Sequence, residues 1–231
     1  MKRSATRLMI ALLATASIAA QAHAALRAPQ VFVGGGSLQA YLNGVGESIN
    51  VGTDQEATTL WTHTVSATTG YTVMLESTAN ANLNSLGLYN GSDASPAIRL
   101  LIAGAEGQDA FSLATFKPGN QLTVNRFDAN GLPIGSTTYT GVDPTGFGFA
   151  LSGPGGTFYT QDARNPGGKA QAIAFKGTGG NAGTWWLCFE ETQVQGGGSD
   201  QDFDDAVIIM ESVNTTPVSR TTWGQLKSRL N

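Results

Sequence analysis

"TWWLCFEETQVQGGGSDQDFDDAVIIMESV", residues 184–213, holds two apolar runs joined by a connection rich in glycine and aspartate. In the first run, alternation sets Trp185, Leu187 and Phe189 on one face and Trp186, Cys188 and Glu190 on the other, because successive strand side chains point to opposite sides of a sheet. The second run, "AVIIM" from Ala206, has strand length and β-branched content, so it reads as a buried strand. Between them, Gly196 to Gly198 give the backbone freedom to turn, and Asp200, Asp202, Asp204 and Asp205 crowd the six positions 200–205. The unit is strand, turn, strand. Its aspartates are expected to fold back onto Glu190 and Glu191 at the end of the first strand.

The same grammar extends over the chain. "SLQAYLN", "LWTHTVS", "YTVMLES", "NSLGLYN", "AIRLLIAG", "AFSLATF", "QLTVNRFD", "FGFALSG", "TFYTQD" and "AQAIAFKG" recur between Gly, Asn, Asp and Pro clusters. Short strands of this spacing predict an all-β fold, an antiparallel β-sandwich of jelly-roll-like kind. The 30 glycines sit at strand boundaries and form no flexible tract. We read one β-sandwich domain over residues 37–213, preceded by an irregular segment, 25–36, with a loosely packed edge running to Gln55. Residues 214–231 read as a linker and a short C-terminal helix, with Trp223, Leu226 and Leu230 at helical spacing after Pro217.

Residues 1–24 read as a secretory signal peptide: Lys2, Arg3 and Arg7, then "LMIALLATASIAA", then the small-x-small site Ala22-His23-Ala24. Export to the periplasm, the cell surface or the medium follows, with a soluble mature chain of about 207 residues and no membrane span after cleavage. The signal carries three of the 13 basic residues and none of the 17 acidic ones, so the mature chain holds 10 against 17, a net charge of about −7. That balance disfavours nucleic acid and anionic membrane and favours divalent cations.

Cys188 is the only cysteine, so no intrachain disulfide braces this exported domain. After cleavage His63 is the only histidine, placed in the alternating segment "LWTHTVSA", where it is expected as a surface strand residue. No G-x-S-x-G accompanies it, and Cys188 reads as a structural free thiol.

The acidic turn needs a physical reason. Two unit charges ~4 Å apart repel by about 1 kcal/mol in water and about 4 kcal/mol at a protein surface, so four carboxylates need a cation or donors beside them. Calcium takes six to eight oxygen ligands, and D-x-D-x-D spacing lets alternate side chains wrap one ion. The candidate ligands are Glu190, Asp200, Asp202, Asp204 and Asp205. An EF-hand over Asp200 to Glu211 is opposed by Asp205 at the position that requires glycine and by the apolar run that follows.

The ordered series "NSLGLYN", "FGFAL", "GTFYTQDARN", "GTWWLCFEE" and "GGSDQDFDDAVI" resembles a group of exported bacterial β-sandwich domains of unknown function, many carrying PEP-CTERM sorting tags. In that group an aromatic-Glu-Asp strand end precedes a D-x-D-[FY]-[ND]-D turn. The resemblance spans most of residues 71–213 and implies a sandwich and a calcium site; it brings no established activity with it. Glu190 matches the group's glutamate, Asp200 and Asp202 its acidic pair, and Asp205 its last aspartate. Glu191 stands where aspartate is usual and Asp204 where asparagine is common. The PEP-CTERM motif itself is missing from this sequence.

Three function classes are open. The first is a non-catalytic surface, matrix or adhesion module with a structural calcium ion, engaging an extracellular or surface polymer or protein. The second is a carbohydrate-binding module that stacks a glycan on Trp61, Tyr159, Trp185 or Trp186. The third is a hydrolase using a carboxylate pair such as Glu190 with Asp202. "TQDARNPGG", residues 160–168, reads as a hydrogen-bonded loop, with a ligand loop as the sharper alternative.

Overall fold

The computed structural model describes residues 36–63, 65 and 67–216; the export signal and the C-terminal helix read from the sequence lie outside them. Its first element departs from expectation. "SLQAYLN" is no strand: it forms helix α1 (Gly36–Gly44), with Leu38 and Leu42 fully buried. Leu38, Tyr41 and Leu42 stand at i, i+3 and i+4, the spacing of one helical stripe, and that stripe is what the fold buries.

Thirteen strands follow among the described residues: β1 (Trp61–Thr62), β2 (Thr68–Leu75), β3 (Ser85–Asn90), β4 (Arg99–Ile102), β5 (Phe111–Lys117), β6 (Gln121–Phe127), β7 (Pro133–Thr140), β8 (Phe147–Gly153), β9 (Gly156–Tyr159), β10 (Ala172–Lys176), β11 (Trp185–Phe189), β12 (Ala206–Glu211) and β13 (Asn214–Thr215). They build two antiparallel sheets. One has six strands in the order β13-β1-β8-β3-β4, with β9 also on β8; the other has seven in the order β10-β11-β12-β2-β5-β6-β7.

The sheets share a core in a sandwich-like arrangement. Aromatic rings carry the contact between them: Trp61 meets Trp185 at 6.1 Å, Tyr71 meets Phe149 at 5.4 Å and Phe116 meets Phe147 at 5.2 Å between ring centroids. Leu187, Phe189, Ile208 and Met210 join this core from β11 and β12. The alternate residues of the same strands, Trp186, Cys188 and Val207, face the other way and form a second core with Leu38 and Leu42 of α1, Phe175 and Phe203. Thus β11 is buried on both faces, which is why its sequence is an unbroken apolar run.

The strand–turn–strand unit takes the predicted form. β11 pairs antiparallel with β12, with Phe189 opposite Ala206, so Glu190 and Asp205 leave the sheet side by side at the same end. Everything between them is the acidic connection.

Candidate metal centre

Glu190 follows the last residue of β11, and its amide still donates to the Gln171 carbonyl at 3.0 Å, so its backbone is fixed by the sheet. Its side chain is wholly shielded from solvent. The loop returns through Gly196 and Gly197, both with left-handed φ values (99° and 83°) that suit glycine. Gln201 and Phe203 also adopt left-handed backbone, at φ 62° and 57°, flanking Asp202. Such residues need compensation. Gln201 donates its amide to Ser199 Oγ at 2.9 Å; Phe203 donates its amide to Glu190 Oε1 at 2.6 Å and buries its ring in the second core.

This curl brings Glu190, Asp200 and Asp202 together, with one carboxylate oxygen from each lying within 4.8 Å of the others. A cluster that could hold a metal ion results, with Glu190 buried, Asp202 half-buried and Asp200 exposed. Asp202 Oδ2 accepts from Ser37 Oγ at 3.2 Å, which ties the first turn of α1 to the site. Its other oxygen, Oδ1, is out of reach of solvent and has no hydrogen-bond partner among the described residues. A buried carboxylate oxygen without a donor is a liability that a cation would remove.

The electrostatics point the same way. Burial pushes the Glu190 carboxyl above its ordinary range; bonds from Ser199 and the Phe203 amide oppose this, while Asp200 and Asp202 add to it. Asp202 is raised by burial first and then by the charge of Asp204, against the opposing bonds from the Ser37 hydroxyl and the Asp204 backbone. Glu190 and Asp202 therefore hold protons more tightly than free carboxyls do, as expected of a site short of positive charge.

The five residues proposed from the sequence separate into two sets. Glu190, Asp200 and Asp202 converge, whereas Asp204 and Asp205 stand outside that trio. Asp204 is buried. Asp205 accepts the Glu191 amide at 2.8 Å and is pushed up to about 7, by burial first and then by Glu190, Glu191 and Asp200. Glu191 points to a different set of groups: it accepts from Thr78, from Asn80 Nδ2 at 2.9 Å and from Asn84 Nδ2 at 2.5 Å.

Other expectations meet different fates. His63 is buried, not a surface residue, and stacks on Phe116 at 5.3 Å. Cys188 is fully buried and its thiol is pushed up by that burial. Trp61, Trp185 and Trp186 are core residues with 5% exposure or less, so none offers a stacking face; Tyr159 alone of the four is half-buried. Residues 160–168 form a hydrogen-bonded loop of two tight turns, in which Asn165 is extended ahead of Pro166.

Sequence reasoning passed over Glu47. Buried at 5% exposure, it accepts from the Thr178 amide and hydroxyl, both at 2.6 Å, and from Asn181 Nδ2 and Trp186 Nε1, both at 2.7 Å. Its donors lie more than 130 residues away, so no local pattern could mark it.

Comparison of the chain with protein-family models and with curated proteins finds no match.

Proposed function

We propose that the chain is an exported, non-catalytic module with a jelly-roll-like sandwich, serving as a surface, matrix or adhesion component. A structural calcium ion sits at its acidic turn. The observation that carries this reading is the convergence of Glu190, Asp200 and Asp202 around an unpartnered, buried Asp202 oxygen. Carboxylate oxygens alone make up the trio, the donor set of a hard cation, and a loop of irregular backbone suits calcium better than the strict octahedron of magnesium. The resemblance to exported bacterial sandwich domains supports the same turn. Bound there, the ion would join the end of β11, the glycine loop and, through Asp202, the start of α1.

The non-catalytic part rests on the surroundings of the reactive residues. His63 is stacked in a core and Cys188 is sealed under α1, so neither is poised as base or nucleophile. The clustered oxygens of Glu190 and Asp202 crowd a single turn, where glycosidase carboxylates stand apart across a sugar. Calorimetric titration of the mature chain with calcium tests the reading. One saturable site that Glu190→Gln abolishes is expected; no heat of binding in the parent protein would overturn it.

A further inference from the structure

A cleft of about 540 Å³ opens between the Ala94-Ser95-Pro96 segment and the loop after β9, lined by those three residues with Tyr159, Ala163 and Arg164. Its size is that of a site for a small ligand. Its floor is rigid. Arg164 donates from Nε to Gln161 Oε1 at 2.6 Å and from Nη2 to the Gly91 and Asp93 carbonyls at 2.8 and 2.7 Å, and its guanidinium lies 5.2 Å from the centre of the Tyr89 ring. Tyr159 packs edge-on against the same Tyr89 ring at 5.2 Å, and Asn165 clamps its backbone, accepting from the Tyr159 amide and donating to its carbonyl, both at 2.8 Å. A cation and an aromatic ring are thus held side by side before any ligand arrives.

The charge on Arg164 is not neutralised by the usual means. Its three hydrogen bonds to described residues go to neutral oxygens, and no carboxylate among the described residues forms an ion pair with it. The Asp93 carboxylate is engaged by Asn90 Nδ2 at 3.1 Å. In a chain with an acidic excess, a fixed guanidinium on an open cleft is a recognition group for an anion, and Nη1, the one nitrogen these bonds leave over, can give a carboxylate a charge-assisted hydrogen bond. Tyr159 and Pro96 add apolar surface and Ser95 a hydroxyl, a combination suited to a sugar ring more than to a flexible acidic side chain.

We infer that this cleft binds a carboxylated sugar residue, a uronate unit of an acidic polysaccharide. The inference gives the surface-module reading its polymer and does not depend on the ion at the acidic turn.

The test is calorimetric titration with trigalacturonate, its fully methyl-esterified form and a glutamate tripeptide, at saturating calcium and again in chelator. Binding of trigalacturonate under both conditions, with the ester and the peptide at least about tenfold weaker, is expected from a site that reads the carboxylate and the ring. Ala163→Glu, at an exposed position, sets a competing carboxylate beside Arg164 and should weaken binding about tenfold with an unchanged melting temperature. Equal binding of the ester or the peptide, no binding of trigalacturonate, or full affinity in Ala163→Glu would overturn the assignment. Binding that requires calcium and survives Ala163→Glu would place the sugar on the acidic turn and overturn it too.

Discussion

Two buried carboxylate sites flank the sheet face that α1 covers, and they solve the same problem differently. Burial alone would raise the Glu47 carboxyl, but four hydrogen bonds outweigh it and hold the group below its ordinary range. Glu190 is buried as completely, receives bonds among the described residues only from Ser199 and the Phe203 amide, and shares its space with Asp200 and Asp202; its carboxyl stays raised. Donors suffice at one site and fall short at the other. A buried carboxylate is therefore no sign of a metal; a deficit of donors around several of them is.

Glu47→Ala should have the largest effect. It leaves the Trp186 indole N–H, the Thr178 amide and the Asn181 amide group without their acceptor, so about 3–5 kcal/mol of stability should be lost. Chemical denaturation with and without calcium measures it, and the loss should be the same in both. A calcium-dependent loss would erase the contrast between the sites.

Asp202→Asn comes next. Under the proposed reading it removes a charge that the ion uses and should weaken calcium affinity at least about tenfold, while Asp204→Asn, outside the trio, should keep most of it. If instead the turn is only crowded charge, Asp202→Asn relieves repulsion and is neutral or mildly stabilising. Calcium titrations of the two variants separate these outcomes by sign.

The smallest effect belongs to Glu76, whose carboxyl is pushed from an ordinary 4.5 up to about 7 by burial and then by the charge of Glu191. A raised carboxyl contributes stability that is complete below its ordinary value and is lost as pH climbs through its folded value. Stability should therefore decline between pH 4.5 and about 7, and Glu76→Gln should flatten that decline. Partial exposure limits the change to about 1 kcal/mol. Melting curves of parent and variant across this range measure it; parallel profiles would show that Glu76 does not titrate there.

The sequence revealed these regions unequally. β11 and β12 were legible because both run without interruption through the fold's centre; alternation set Trp185 and Trp186 on opposite faces, and each face has a core of its own. β7 was not. "PIGSTTYT" is mostly exposed at the sheet edge, so burial imposes no alternation on it. α1 was misread as a strand because the apolar Leu38, Ala40, Tyr41 and Leu42 of "SLQAYLN" are compatible with a short strand; only the helical spacing of Leu38, Tyr41 and Leu42 distinguishes it. In the acidic turn the D-x-D spacing pointed to Asp200 and Asp202. The separate placement of Asp204 and Asp205 was hidden, since it depends on left-handed backbone at Gln201 and Phe203, which side-chain alternation cannot foresee.

The central claim is that the acidic turn is completed by calcium where the Glu47 site is completed by donors. Thermal melting of the mature protein in excess calcium and in excess chelator tests it most directly. An ion held only by the folded chain, at one hundred times its dissociation constant, should add about 2.7 kcal/mol and raise the melting temperature by roughly 5–10 °C. Identical melting temperatures in calcium and chelator would contradict the account.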